Sequence, residues 1–222
     1  PLSLRYEKEG GGMFTAKDLR KLILPLIVEQ FLAVTIGMAD TIMVASTGEA
    51  AMSSVSLVDA INILLINIFS ALATGGAIVA SQYLGREDNK RANVAAKQLL
   101  LVTTAMSAFI MAVCLIGRNP ILDLIFGKIE PEVMDNCRVY FFWSALSYPF
   151  LAVYNAGAAL YRSMGNSKVS MLTSTLMNAI NIAGNALLIF GFHMGVAGAA
   201  IASLFARMVG AVLITCLLRF KP

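Results

Sequence analysis

Residues 19–45 have the sequence LRKLILPLIVEQFLAVTIGMADTIMVA, and this stretch decides which kind of fold the chain can adopt. It is longer than the roughly 20 apolar residues that cross a bilayer as a helix. Two carboxylates interrupt it, Glu29 and Asp40. An ionised aspartate inside a membrane helix costs roughly 2.5–3.5 kcal/mol on insertion scales, so Asp40 is expected to face a polar partner or a water-filled cavity. Asp40 is therefore the first candidate functional residue.

The composition of the whole chain is that of a membrane protein. The 222 residues are 58% hydrophobic and 14% charged, with a mean hydropathy of +0.76, whereas soluble domains have about 45–50% apolar and about 25% charged residues. We predict an all-α membrane protein in the form of a six-helix transmembrane bundle. Its six apolar segments lie at about 20–44, 55–84, 94–117, 138–160, 170–191 and 195–218.

The basic residues predict the orientation of the chain in the cytoplasmic membrane. If the N-terminus is cytoplasmic, 13 of the 17 Lys and Arg residues fall in cytoplasmic segments, three fall outside, and Arg207 lies within the sixth helix. Basic residues are retained on the cytoplasmic side. Both termini are therefore predicted to be cytoplasmic, and the net charge of +4 is explained by topology, without a nucleic-acid partner.

No metal centre, resident cofactor or enzymatic activity is expected. Cys114, Cys137 and Cys216 lack CxxC spacing and are interpreted as apolar packing residues. The single histidine, His193, lies in the predicted turn between the fifth and sixth helices, away from any cluster of ligands.

The chain is predicted to have two parts. Residues 1–12, PLSLRYEKEGGG, are polar and rich in glycine, and we predict a disordered or non-native extension there. Residues 13–222 are predicted to form the six-helix lobe, with Met13 as the natural start.

The fifth predicted helix carries a stripe of three amides. Asn178, Asn181 and Asn185 are spaced i, i+3 and i+7, so they share one face. Amides are unfavourable against lipid, so the stripe should face the interior of the bundle. There it forms either part of a binding site or a seam of interhelical hydrogen bonds worth about 0.6 kcal/mol per contact.

Small residues recur at every fourth position of the sixth helix. This small-xxx-small row allows a neighbouring backbone to approach closely. Ser203 lies one position off the row, where its hydroxyl can face a polar cavity. The row consists of Gly198, Ala202, Ala206 and Gly210.

Several other polar or helix-breaking residues lie in the predicted helices. Pro25 removes a backbone hydrogen bond from the first helix and is expected to bend it. Glu29 lies 11 residues before Asp40, on the same face and about 16 Å away. Glu29, Asn155 and Asn178 are possible secondary polar positions, whereas Asp59 is interpreted as a carboxylate near the outer interface.

Four segments, taken in order, resemble the N-terminal half of a multidrug and toxic compound extrusion (MATE) transporter, within a superfamily that also includes lipid-linked oligosaccharide flippases. The resemblance extends from about Met13 to the C-terminus. The segments are MADTIMV at 38–44, SQYLGRED at 81–88, LYRSMGNSK at 160–168 and NAINIAGNALLIFGFHMGVAGAAIAS at 178–203.

The resemblance implies a cation-coupled antiporter whose two six-helix lobes exchange a proton or sodium ion for an organic, often cationic, drug. In such a transporter Asp40 binds the coupling ion, Asn181 and Ser203 belong to its polar cluster, and Pro25 is the hinge of the first helix. Asn185 departs from the pattern, because some members carry a second aspartate there. With Asp40 as the only acid of the cluster, a proton is favoured over sodium at Asp40.

The same resemblance implies a missing C-terminal lobe, or a homodimer if the chain is complete. A flippase would need a more cationic cavity, and Arg207 is the only basic residue deep in the predicted helices. An aspartyl intramembrane protease would need two facing aspartates, usually with GxGD, which the sequence lacks. A serine protease would need a deep histidine. A structural membrane protein without transport activity is the remaining alternative.

Overall fold

The computed structural model describes residues 16–219, apart from the side chains at positions 16–18, 22, 33 and 36. The predicted extension at 1–12 and the predicted start at Met13 lie outside the described residues.

The described chain is helical and contains no strand, which confirms the predicted all-α class. Ala186–Gly191 continues the sixth of its helices as a π-helix. The helices are α1 Ala16–Ala45, α2 Glu49–Gly85, α3 Asn89–Ile116, α4 Arg118–Phe126, α5 Pro131–Ser163, α6 Ser167–Asn185 and α7 Gly195–Arg219.

Five of the described helices are long and apolar enough to cross a membrane, whereas six were predicted. The five are α1, α2, α3, α7, and α6 together with its π-helical extension. α5 has 33 residues but does not reach the same apolarity. It packs against α2, α3 and α7, and 18 of its residues are buried. Because neighbouring helices enclose α5, it needs no continuous lipid-facing surface and can retain polar side chains.

The core lies along α5. Phe69 of α2 and Phe141 and Tyr148 of α5 are fully buried, and the Phe69 and Tyr148 rings lie 6.1 Å apart. Leu122 of the short helix α4 is also fully buried and belongs to the same apolar cluster. The polar residues of α5 are thus held in a rigidly packed environment.

The small residues predicted along the sixth helix form the contact between α6 and α7. A Cβ atom added at Gly184 of α6 would lie 2.9 Å from the Cβ of Ala202, and one added at Gly198 would lie 3.1 Å from the backbone of Leu188. The first distance is too short for a side chain and the second would require Leu188 to shift, so glycine at these positions favours the close approach of the two helices. All four residues of the α7 row, Gly198, Ala202, Ala206 and Gly210, are buried.

α1 lies at the periphery of the bundle. It packs mainly against α6, and large apolar side chains such as Phe31, Met38 and Ile42 are each more than 60% exposed. A soluble protein rarely exposes such a surface. In a membrane protein the surface can face lipid or another apolar domain.

Replacing Gly184 by Ala should destabilise the bundle by about 1–3 kcal/mol, because the new methyl group would collide with Ala202 and force α6 away from α7. The Gly75→Ala variant is the matched control. A Cβ at Gly75 meets nothing within 4 Å, and both substitutions give the same gain in helix propensity. Thermal unfolding of the purified variants in detergent measures the difference. Equal midpoints would contradict the close approach of α6 and α7.

Candidate functional site

Asp40 is hydrogen-bonded to the amide stripe of α6. The Nδ2 of Asn185 donates to the Oδ1 of Asp40 at 2.6 Å. Asn185 is 1% exposed and Asp40 is half-buried, so the bond runs from α1 into the interior of the bundle. The pair joins α1 to the last residue of α6, where the α-helix changes into the π-helix. Such π-helical segments occur frequently at functional sites.

The amide of Asn181 completes the cluster. We assign its orientation from its hydrogen bonds. With the nitrogen facing Asp40, the amide donates to Oδ2 at 2.8 Å and to Oδ1 at 2.9 Å, and its oxygen accepts from the Ser203 hydroxyl at 2.9 Å. Asp40 therefore accepts from two amides, and Ser203 of α7 holds one of them in place. We call Asp40, Asn181, Asn185 and Ser203 the Asp40 cluster.

One oxygen in this cluster is free to accept a further ligand. The Oδ1 of Asn185 is buried and has no hydrogen-bond partner among the described residues. A buried acceptor without a donor is unfavourable. The carboxylate and the amide oxygens are the ligand types that hard cations prefer. The cluster is therefore suited to hold a proton or a small cation.

The structure does not bring the remaining predicted residues into this cluster. Asn178 is half-buried on α6 and makes no hydrogen bond within the described part of the chain. Asn155 lies on α5, where its Nδ2 is buried and finds no partner among the same residues. Pro25 is buried near the other end of α1, within one continuous helix.

Glu29 forms a second attachment of α1. The hydroxyl of Ser170 on α6 lies 3.2 and 3.1 Å from the two carboxylate oxygens of Glu29. Arg162, at the end of α5, donates to the same hydroxyl at 3.0 Å, and its guanidinium lies 3.8 Å from Glu29. Glu29 thus fixes α1 to α5 and α6 at a distance from the Asp40 cluster.

The two carboxylates account for the polar attachment of α1. Among the described residues, every hydrogen bond or ion pair between α1 and another helix involves either Glu29 or Asp40. The hydroxyls of Thr35 and Thr41 bond only within their own helix. Loss of either carboxylate is therefore expected to weaken the attachment of α1, which otherwise depends on packing, mainly against α6.

Asp59 is half-buried on α2 and lies about 15 Å along the axis from Glu49, the first residue of this 37-residue helix. Its place near the outer interface stays a prediction, but its carboxylate has partners within the bundle. Its Oδ1 accepts from the Nδ2 of Asn62 at 3.0 Å and from the Tyr140 hydroxyl at 3.2 Å. The Tyr148 hydroxyl in turn donates to the Oδ1 of Asn62 at 2.9 Å. We call Asp59, Asn62, Tyr140 and Tyr148 the Asp59 network.

Arg207 of α7 belongs to the same region. Its guanidinium donates to the Ser147 hydroxyl of α5, and it lies within electrostatic range of both Asp40 and Asp59. The sequence alone predicted neither the Asp59 network nor the contact of Arg207 with Ser147. Its only signal was the i, i+3 spacing of Asp59 and Asn62 on α2.

The fold and the site together define an α-helical integral membrane protein with half-buried carboxylates between its helices. The comparisons with known proteins are specific. The model of the MatE family matches residues 25–187, so the chain belongs to this family. The resemblance to MATE transporters is thereby confirmed.

Two relatives and one solved structure illustrate the similarity. The chain is 30% identical over 200 residues to the uncharacterized transporter YisQ of Bacillus subtilis, covering 88% of this chain and 43% of that protein. It is 28% identical over 209 residues to the probable multidrug resistance protein NorM of Thermotoga maritima, covering 90% and 43%. A multidrug resistance MATE family transporter of the MOP superfamily, solved in an outward-facing conformation, shares the fold with a TM-score of 0.87 at 21% identity, covering 92% of this chain and 45% of that one. The chain spans less than half the length of these proteins.

The Asp59 network should contribute measurably to stability. In Tyr148→Phe the Oδ1 of Asn62 would lose its donor in a fully buried position, which should lower the free energy of unfolding by about 1–3 kcal/mol. Tyr83→Phe, at a half-buried tyrosine near the end of α2, is the control. Unfolding of both variants in detergent would measure the loss, and unchanged stability of Tyr148→Phe would show that the network is not formed.

Proposed function

We propose that the chain is one half of a cation-coupled antiporter that exports organic, often cationic, drugs across the cytoplasmic membrane. Membership of the MatE family supports this proposal, as does the similarity to a probable multidrug resistance protein. The observation that carries it is the attachment of α1 through Asp40 to two amides of α6.

Asp40 couples ion binding to the position of α1. The ionised carboxylate accepts strong, charge-assisted hydrogen bonds from Asn181 and Asn185. Uptake of a proton neutralises Asp40 and weakens these bonds, whereas departure of the proton restores them. Burial in the bundle favours the neutral carboxyl and the amide donors favour the carboxylate, so the two effects oppose each other. Small changes in hydration can then shift the balance between two positions of α1.

Pro25 provides the place at which α1 bends. Proline leaves the carbonyl four residues earlier without its helical donor, which lowers the resistance of a helix to bending. Both anchoring residues, Glu29 and Asp40, lie on the same side of this proline. The segment that carries the site can therefore move relative to the first turns of α1.

The coupling ion is a proton in preference to sodium. The Asp40 cluster contains one carboxylate together with neutral amide and hydroxyl groups. Sodium, if it binds, takes the carboxylate of Asp40 and the neighbouring amide oxygens as ligands. A second carboxylate at position 185 would add the charge that holds a metal cation more tightly.

The partners of this half are the lipid bilayer, a small-molecule drug and a second lobe. The second lobe is either a C-terminal half or another copy of the chain. The exposed apolar surface of α1 is suited to face the central cavity between two lobes. Both termini are placed in the cytoplasm, following the distribution of basic residues.

The charges favour a drug exporter over a flippase for anionic lipids or a purely structural protein. Arg207 is accompanied by Asp40 and Asp59, so this region has an excess of negative charge. Such a region attracts cations and repels an anionic lipid head group. A structural protein would not need two half-buried carboxylates between its helices.

Asp40→Asn should abolish efflux of ethidium, because asparagine cannot exchange a proton, while membrane insertion remains intact. The assay is export from cells that lack their own multidrug pumps, with protein in the membrane fraction quantified in parallel. Glu49→Gln is the control, since Glu49 is an exposed carboxylate at the start of α2. Full efflux by Asp40→Asn would rule out coupling at this residue.

Asn185→Asp should add sodium dependence to transport. The new carboxylate would lie beside Asp40, at the place where Nδ2 and Oδ1 are now 2.6 Å apart. Two carboxylates so close require a shared proton or a bound cation. Export driven by a sodium gradient at constant pH, compared between the parent and this variant, tests the assignment. A parent protein already driven by sodium would overturn the preference for protons.

A further inference from the structure

A groove of about 240 Å³ lies between the C-terminal parts of α2 and α5. One of its lining residues is an arginine, three carry hydroxyls, and the others are two alanines and an isoleucine. The groove therefore offers a positive charge and hydrogen-bond donors next to an apolar surface. Its lining residues are Thr74, Ala77, Ile78 and Ser81 of α2 and Ala159, Arg162 and Ser163 of α5.

The charged end of the groove lies where the two helices end. Arg162 is the last residue but one of α5, and Ser81 lies about 6 Å along the axis from Gly85, the last residue of α2. Ile78 lies further in, and Thr74 lies about 16 Å from Gly85. One leaflet contributes about 15 Å of hydrocarbon, half of the roughly 30 Å core. The groove thus extends over about the depth of one leaflet, with its charge at the surface end.

Arg162 has donors that its contacts with α1 and α6 do not use. Its Nη1 donates to the Ser170 hydroxyl at 3.0 Å and lies 3.8 Å from the Oε1 of Glu29, which is too long for a hydrogen bond. A guanidinium carries five N–H donors, and this side chain is 31% exposed. The hydroxyls of Ser81 and Ser163 donate to carbonyls of their own helices, and they can rotate toward a ligand. An anion with several acceptor oxygens would satisfy these donors together.

Exposed basic residues surround this end of the bundle. They outnumber the two acids of the connection between α2 and α3, Glu87 and Asp88. Basic clusters attract the anionic lipids of the cytoplasmic leaflet, and the distribution of Lys and Arg predicts that this end is cytoplasmic. A free phosphate would leave the apolar part of the groove unused, whereas a phospholipid matches both parts. The basic residues are Arg86, Lys90, Arg91 and Lys168.

We propose that this groove binds an anionic phospholipid, with its phosphate on Arg162 and the hydroxyls of Ser81 and Ser163 and an acyl chain along Ile78. The site is separate from the Asp40 cluster, and lipid binding there requires no transport. Arg162 also lies beside Glu29, so the lipid phosphate and the Glu29 carboxylate compete for one guanidinium.

Native mass spectrometry of the purified protein, titrated with phosphatidylglycerol, tests the proposal. Arg162→Gln should weaken binding roughly tenfold or more, because the phosphate loses charge-assisted hydrogen bonds. Glu29→Gln should strengthen binding by roughly threefold, because the competing carboxylate is removed. A merely structural role for these two residues would not change the affinity in opposite directions, and unchanged affinity in Arg162→Gln would overturn the site.

Arg86→Gln is the matched control. Arg86 is an exposed arginine directly after α2, at the same end of the bundle, and does not line the groove. Its loss should leave the affinity within about twofold of the parent in about 0.15 M salt, where exposed charges are screened. An effect as large as that of Arg162→Gln would show attraction by the basic surface as a whole, and the groove would be overturned as the site.

Glycerol phosphate and inorganic phosphate distinguish a lipid site from a phosphate site. Neither should displace phosphatidylglycerol when added in excess, because neither contacts the apolar part of the groove. Displacement by either compound would show that the site recognises a free phosphate, and the assignment to a lipid would be wrong.

Ser81→Asp decides the question if Arg162→Gln fails to fold. It places a carboxylate in the groove, which should pair with Arg162 and exclude the lipid phosphate. Ser81→Asn has nearly the same size and no charge, so it should bind phosphatidylglycerol more tightly than Ser81→Asp. Equal affinities of the two variants would contradict the proposal. All these variants retain Asp40, so the lipid measurements stand or fall independently of the efflux assay on Asp40→Asn.

Discussion

The structure depends on how a charged side chain is accommodated on a helix with few other attachments. α1 exposes most of its apolar surface, and packing against α6 holds it only along one side. Its polar contacts with the other described helices are made by Glu29 and Asp40. Because hydrogen bonds to a carboxylate are strong only while it is ionised, a change at Asp40 alters the attachment of the whole helix.

The enclosed helix α5 provides the rigid counterpart of α1. It contacts α2, α3 and α7 along its length, and its tyrosine and serine hydroxyls point at partners on α2 and α7. Interiors packed at this density change between discrete arrangements and do not deform continuously. A sparsely attached α1 beside the enclosed α5 is therefore the physical basis that we propose for a two-state lobe, with the carboxylate–amide bonds at the boundary.

The sequence predicted those features that depend on local spacing and on the cost of burying charge. Asn181 and Asn185 are four residues apart, so they share one face of α6. An aspartate in a membrane helix needs polar partners, which predicted a contact between Asp40 and such amides. The Asp59 network could not be predicted in this way. Its partners Tyr140 and Tyr148 are 81 and 86 residues away from the groups they bind, and no local pattern records a pairing between distant helices.

The same contrast between local patterns and contacts of distant helices explains why six membrane-spanning helices were predicted, whereas five described helices are apolar enough to cross a membrane. Hydropathy measures whether a segment could face lipid, and α5 has no such requirement because its neighbours surround it. Lower apolarity is typical of a helix that other helices enclose. A segment that lies only partly in the membrane would show the same lower apolarity in its sequence. The π-helix after Asn185 lies where Gly198 of α7 leaves no room for a side chain next to the backbone of Leu188, and no local sequence pattern predicted it.

The placement of charges on mobile and fixed elements has a consequence for coupling. A carboxylate on a fixed helix, paired through hydrogen bonds and near an arginine, contributes a constant field. A carboxylate on a mobile helix experiences that field differently in each position of the helix. Asp59 and Arg207 lie on helices that pack against α5, and Asp40 lies on α1. In the proposed antiport cycle, movement of α1 changes the distance of Asp40 from both charges at once, and with it the affinity of Asp40 for a cation. By reciprocity, the proposed binding of a cation at Asp40 shifts the position of α1.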